Sequence, residues 1–211
     1  HRYKGARLNH QLQIKHLGRQ DYQDSWDSMR ATISGKTQED GDEVWLLEHP
    51  PVFTIGQAGS KDNLLESSSI PVVRSDRGGE ITFHGPGQLV VYFIINLRRL
   101  GWGPKRLVQE LEELIINLLK QYSIEADRKT GFPGIYVEEK KIASIGLKIN
   151  RGFSYHGISL NVDMDMSPFK QINPCGISSL QLTQMKDLTD VAMDDVRNNF
   201  AKAIEDHFDN I

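Results

Sequence analysis

A single cysteine, Cys175, in 211 residues rules out an internal disulfide and leaves its thiol either a small packed hydrophobe or a chemical group. Long apolar runs are missing too. The longest, Leu89 to Ile95, is too short to cross a bilayer, and the opening His1-Arg2-Tyr3-Lys4-Gly5-Ala6-Arg7 lacks the apolar centre of a secretory signal. These absences predict a cytoplasmic protein without membrane contact. Positive charge is not in excess, since 25 Lys plus Arg face 28 Asp plus Glu for a net charge of -3. Such a chain offers no general basic surface to nucleic acid phosphates. No internal repeat or low-complexity linker divides the sequence, and its length suits one hydrophobic core. A single domain over 1–211 is expected. Its first few residues, which begin without Met, are set aside as tag or disordered chain.

What is present begins with three amphipathic patterns. Tyr22, Trp26, Met29 and Ile33 recur at helical spacing, as do Leu107, Leu111, Leu114, Ile115 and Leu118 after Gly103-Pro104, and Val196, Phe200, Ala203 and Ile204 near the end. Between them lie short runs with strand character: Val44 to Leu47, Val52 to Ile55, Ile81 to Phe83, Leu89 to Leu97, Gly134 to Val137, Ile142 to Ile149 and Ser154 to Val162. Helix, strands, helix, strands, helix is the order of an α+β domain, with a mixed or antiparallel sheet flanked by helices. The polar stretches from Gly35 to Asp42 and from Gly59 to Ser69 read as exposed loops.

The densest unusual segment runs from Arg77 to Gln88, as Arg-Gly-Gly-Glu-Ile-Thr-Phe-His-Gly-Pro-Gly-Gln. Paired glycines beside an arginine clear side chains where a ligand must approach the backbone, and Gly85-Pro86-Gly87 sets His84 at a strand end. The plainer reading is a hairpin whose glycines serve turns and whose histidine is structural. Four glycines, an arginine, a histidine and a glutamine in twelve positions exceed what one turn needs. No phosphate-loop or dinucleotide fingerprint is formed.

Strand alternation across Lys140 to Ile149 places Lys141 on the same face as Ala143, Ile145, Leu147 and Ile149. An ammonium aimed at an apolar face loses solvation and can exchange protons near neutrality. Alternatively its stem snorkels outward at the strand entry. On the other face Ser144 and Gly146 form a small surface suited to the floor of a groove, unless Gly146 marks a bulge.

Cys175 follows Pro174 and precedes Gly176, so it belongs to an irregular loop. A reactive thiol needs a partner that takes its proton, and Lys141, His84, His156 and His49 are the candidates; spacing does not choose among them. The scattered histidines and lone cysteine do not match zinc-ligand spacing.

These residues resemble a known family. Arg77-Gly78-Gly79-Glu80-Ile81-Thr82-Phe83-His84-Gly85-Pro86-Gly87-Gln88 with Tyr92 is similar to the signature of lipoyl(octanoyl) transferases. The family's other blocks resemble Glu48-His49-Pro50-Pro51-Val52-Phe53-Thr54, Lys141 to Gly146, Tyr155 to Val162, and Ser167-Pro168-Phe169 through Asn173-Pro174-Cys175-Gly176, in the same order. The resemblance implies the α+β fold shared with lipoate and biotin protein ligases. It implies Cys175 as the acyl-thioester nucleophile and Lys141 as its proton partner. Arg77, Gly78, Gly79, Glu80, Ile81, Thr82, Phe83, His84, Ser144, Ile145, Gly146, Gly157, Ile158 and Ser159 would line the acyl and carrier site, supported by His49, Tyr92 and His156.

The implied donor is an octanoyl group on the phosphopantetheine of acyl carrier protein. The implied acceptor is a lysine of a lipoyl domain, in a 2-oxoacid dehydrogenase E2 subunit or the glycine cleavage H protein. No ATP, metal or other cofactor is implied, and the enzyme is expected to act as a monomer. Basic pairs such as Lys105-Arg106 and Arg98-Arg99 would meet the acidic carrier, or simply form a solvated face. Rival readings are an ATP-dependent lipoate or biotin ligase of the same fold and a non-catalytic lipoyl-domain binding module.

Overall fold

The computed structural model describes residues 12–66, 68–173 and 180–211. A seven-stranded mixed sheet is its centre, ordered β1-β2-β6-β10-β9-β8-β7. Its strands are β1 (Gln13–Arg19), β2 (Glu43–Glu48), β6 (Gln88–Ile94), β7 (Asp127–Lys129), β8 (Phe132–Val137), β9 (Lys140–Asn150) and β10 (Phe153–Asn161). Only β1 and β2 run parallel; the other pairs are antiparallel. A second, three-stranded sheet, β4-β3-β5, is built from β3 (Val52–Ile55), β4 (Val72–Arg74) and β5 (Ile81–His84).

Helices α2 (Leu97–Leu100), α3 (Pro104–Gln121) and α4 (Met193–Asp209) cover one face of the large sheet. The leucines of α3 are buried there with Val91, Phe93, Leu160 and α4's Val196, Phe200 and Ile204. Helix α1 (Tyr22–Gly35) packs Met29 and Ile33 on the opposite face, against Trp45, Val90, Tyr92 and Tyr155. Asp21 starts α1 by accepting a hydrogen bond from the Asp24 N–H at 3.1 Å, and Pro104 occupies the first turn of α3. The three expected helices and seven expected strands all form, in an α+β arrangement.

Four elements escape the periodicity. Strand β1 is a half-exposed edge whose apolar residues do not alternate, while β4 and β7 are three residues long and β7 is wholly charged. The run expected as strand to Leu97 ends at Ile94 because the Asn96 side chain caps α2, accepting from Arg99 N–H at 3.2 Å. The Gly85-Pro86-Gly87 turn is no hairpin, since β5 pairs with β3 and β6 with β2 and β10. It carries the chain from one sheet to the other. Gly87 has φ +88°, and a Cβ there would lie 1.8 Å from the Asp163 carbonyl oxygen.

Candidate active site

The α1 side of the large sheet and the small sheet above it enclose a cavity of about 490 Å³, a volume within the ordinary range of small-molecule sites. Its floor is a set of cross-strand rows. Val90, Ser159 and Ser144 lie side by side in one row, and Tyr92, Gly157 and Gly146 in the next. The roof is the glycine segment, with Arg77, Gly78, Gly79, Glu80, Ile81, Thr82 and His84 all on the lining. Ile145, Ile158, His156, Tyr22 and Lys141 complete most of the wall, with Phe132 and Pro133 of β8 at its edge.

Lys141 is 2 % exposed, but not for the reason that alternation suggests. The pairing of β8 and β9 slips between Ile135↔Ala143 and Tyr136↔Lys141, which makes Ile142 an extra residue, a β-bulge. The slip sends Ile142 into the helix-covered core beside Ala143 and turns Lys141 to the cavity face with Ser144 and Gly146. The parity that joins Lys141 to Ala143, Ile145, Leu147 and Ile149 is thereby corrected. Its stem crosses Gly134, where a Cβ would stand 2.4 Å from Lys141 Cε, and Gly134 has φ +111°.

Arg77 is the frame of the roof rather than a free ligand for substrate. Its Nε donates to Thr54 Oγ1 at 3.0 Å, Nη1 to the Gly78 carbonyl at 2.8 Å, and Nη2 to the carbonyls of Thr54 and Glu80 at 2.7 Å each. Gly78 N–H donates to the Leu147 carbonyl at 2.9 Å, and a Cβ on Gly146 would meet the Gly78 oxygen at 2.7 Å. The glycines at 78 and 146 let the roof touch the floor strand backbone to backbone.

A polar chain then runs under the cavity. Thr54 Oγ1 and His84 Nε2 are 3.3 Å apart, and His84 Nδ1 and Gln88 Oε1 2.8 Å. Gln88 Nε2 donates to Asn161 Oδ1 at 3.1 Å, Asn161 Nδ2 donates to the Thr183 carbonyl at 3.1 Å, and Thr183 N–H donates to the Lys141 carbonyl at 2.9 Å. Burial pushes His84 down to about 3, aided by the charges of His49 and Arg77. A neutral ring that donates from Nδ1 to Gln88 accepts a hydrogen bond from the Thr54 hydroxyl at Nε2. His49 is pushed down to about 4, chiefly by burial, with its Nδ1 2.6 Å from the Gln20 carbonyl and its Nε2 2.6 Å from the Tyr92 hydroxyl.

His156, in the left-handed region at φ +58°, holds Asp76 Oδ1 through Nε2 at 2.7 Å. Burial lowers its pKa, and Asp76 offsets part of that. Burial opposes ionisation of Asp76, yet hydrogen bonds from His156 and Tyr155 hold its carboxyl below the usual range.

Of the residues expected at the site, Phe83 turns away from the cavity and packs against Phe53 and Phe169, and His49 sits behind Tyr92. Cys175 lies outside the described residues. The chain on either side of it is placed: Asn173 N–H donates to the Asn63 carbonyl at 2.8 Å, and Lys141 N–H donates to the Gln181 carbonyl at 2.9 Å. The basic pairs proposed for the carrier do not flank the cavity. Arg99 pairs with Asp42 and Arg106 with Glu110, on α2 and α3 across the sheet. Sequence reasoning missed Tyr22, Thr54, Asp76 and Gly134. Tyr22 read as an ordinary helix-core residue, Thr54 stood only as the end of the block from Glu48, and nothing local marks Asp76 or Gly134 as site residues. Among the described residues no group of three or more His, Cys, Asp or Glu is placed to hold a metal ion, and no helix is long and apolar enough to cross a membrane.

Fold and site together define an α+β domain that encloses a mainly apolar cavity with a buried lysine at its edge. The sequence model of the lipoyl protein ligase A/B catalytic domain matches residues 21–205, and the chain belongs to that family. It is 55 % identical over 179 residues to the octanoyltransferase of Psychromonas ingrahamii, covering 85 % of this chain and 83 % of that one. It is 52 % identical over 177 residues to that of Shewanella pealeana, covering 84 % and 81 %. Among solved structures, a lipoate-protein ligase A bound with ATP superposes with TM-score 0.78 at 16 % identity over 93 % of this chain and 85 % of that one. A biotin protein ligase from Aquifex aeolicus in complex with biotin and ATP gives 0.57 at 14 % identity over 92 % and 69 %. At such identities the structures speak for the fold alone, which is the one expected.

Proposed function

We propose that this protein is an octanoyltransferase, moving an octanoyl group from the phosphopantetheine thioester of acyl carrier protein to a lysine of a lipoyl domain. The reading rests above all on Lys141, a buried amine at the edge of an acyl-sized cavity and tied through its backbone to Gln181 and Thr183, on the chain that returns from Cys175. The octanoyltransferase names of relatives at 52–55 % identity support it.

In this mechanism Lys141 takes the Cys175 proton and the thiolate attacks the donor carbonyl. The pantetheine sulfur leaves and takes that proton back, so one thioester replaces another at little net energy. Lys141 then takes one proton from the acceptor ammonium, the amine attacks the acyl-cysteine, and the amide forms as the Cys175 sulfur leaves with the amine's second proton. Amide formation from a thioester is downhill, so the reaction needs no nucleotide to drive it. General acid–base catalysis by a positioned amine contributes roughly 10²- to 10⁴-fold.

Incubation with octanoyl carrier protein is expected to add one octanoyl mass to the peptide that contains Cys175, and addition of lipoyl domain to remove it. An acyl group found elsewhere discards the nucleophile. Efficient loading of lipoyl domain from ATP and free octanoate would instead indicate a ligase.

A further inference from the structure

Ser144 and Ser159 stand directly opposite each other on β9 and β10, both on the cavity floor. Directly opposed residues on one sheet face keep their Cβ atoms roughly 4.5–5.5 Å apart. Ser159 is 6 % exposed, and among the described residues neither hydroxyl has a hydrogen-bond partner. Ser144 is half-buried, and neither oxygen is among the fully buried polar atoms left without a partner, so both hydroxyls open onto the cavity, where a ligand acceptor can take the bond that water otherwise takes. The next row beyond them is Tyr92, Gly157 and Gly146, which leaves bare backbone over most of the floor. Lys141 occupies the preceding cavity-facing position on β9, on the other side of the bulge.

We infer that the Ser144 and Ser159 hydroxyls donate to the carbonyl oxygen of the bound acyl thioester and so fix where the chain stops. The deduction rests on the transferase reading above and deepens it. A saturated acyl chain is apolar except at its carbonyl, whose oxygen accepts hydrogen bonds and donates none. Two donors side by side in an otherwise apolar floor match that one atom. With the oxygen on the serine row, the carbonyl carbon lies one row from Lys141. The hydrocarbon tail continues over Gly146 and Gly157 toward Tyr92 and Tyr22, under the Arg77–Glu80 roof. The register of the chain is then set at its polar end, by two hydroxyls, and not only by the depth of the cavity.

The test uses two probes that differ in the carbonyl oxygen, S-methyl octanethioate and methyl octyl sulfide. Their affinities are measured on the full chain carrying Cys175→Ala, so that the thioester is not consumed, with and without Ser144→Ala and Ser159→Ala. Removing both hydroxyls is expected to lower the thioester-to-sulfide affinity ratio about 10-fold, at 0.5–1.5 kcal/mol per hydrogen bond. Each single substitution should give part of that loss, and Ser144→Thr, which keeps the hydroxyl, should give little. An unchanged ratio, or equal weakening of both probes, overturns the assignment. Failure of Cys175 to carry an acyl mass would remove the transfer mechanism and leave this binding ratio still readable.

Discussion

Lys140 is exposed and Lys141 is 2 % exposed, one position apart on the same strand. Only the second lines the cavity, and the proposed chemistry turns on that difference. Lys141→Ala is therefore expected to slow single-turnover acyl transfer by at least about 100-fold, the lower range for loss of a positioned acid–base group. Lys140→Ala should stay within about 2-fold, because an exposed side chain of this kind contributes little. Equal effects of the two substitutions would contradict the assignment. The sequence makes Lys141 conspicuous through its apolar neighbours, yet the geometric argument from them is mistaken. Nothing in the run Lys-Lys-Ile-Ala-Ser announces that Ile142 is the bulged residue.

At the scale of an element, the β8–β9 hairpin carries the lysine and sets its direction. Gly134 on β8 serves it twice, by adopting φ +111° and by leaving room for the lysine stem 2.4 Å from where a Cβ would be. Gly134→Ala should displace Lys141 and cut the transfer rate at least about 10-fold, as small misplacements of a catalytic group do. Gly101 is the control, with φ +68° and nothing within 4 Å of its would-be Cβ, at the end of α2. Gly101→Ala should cost about 1 kcal/mol of stability from the left-handed backbone and leave the rate intact. Thermal melts and single-turnover rates on both variants check the pair. Helices of this protein are legible in their spacing because α3 buries one continuous stripe of leucines. Strands β4 and β7 are not, because three residues cannot show a period.

Across the whole molecule, three buried imidazoles bring together helix α1, both sheets and the segment between β2 and β3. Tyr22 of α1 stacks on His84 of β5 at 5.8 Å and meets His49 edge-on at 5.2 Å, and Tyr92 of β6 lies 6.1 Å from His156 of β10. Burial holds His49 down to about 4 and His84 down to about 3, so both are neutral in the fold at pH values where an unfolded histidine, near 6.5, is charged. Because the unfolded chain binds more protons below 6.5, stability is full above that pH and falls as pH drops toward 4. The loss should reach about 2 kcal/mol per imidazole by pH 5, read from urea midpoints at pH 7 and pH 5. A His84→Asn variant should flatten that slope; an unchanged slope would show that this ring does not titrate with unfolding. The amino-acid sequence alone determined the α+β class, the three long helices, the glycine-rich roof and the family, since each is written in local spacing or in contiguous blocks. Only the tertiary structure decided which face Lys141 takes, that Arg77 spends its guanidinium on carbonyls of the roof, and that Ser144 and Ser159 meet. Those outcomes depend on strand register and on contacts between residues far apart in the chain, which local chemistry does not encode.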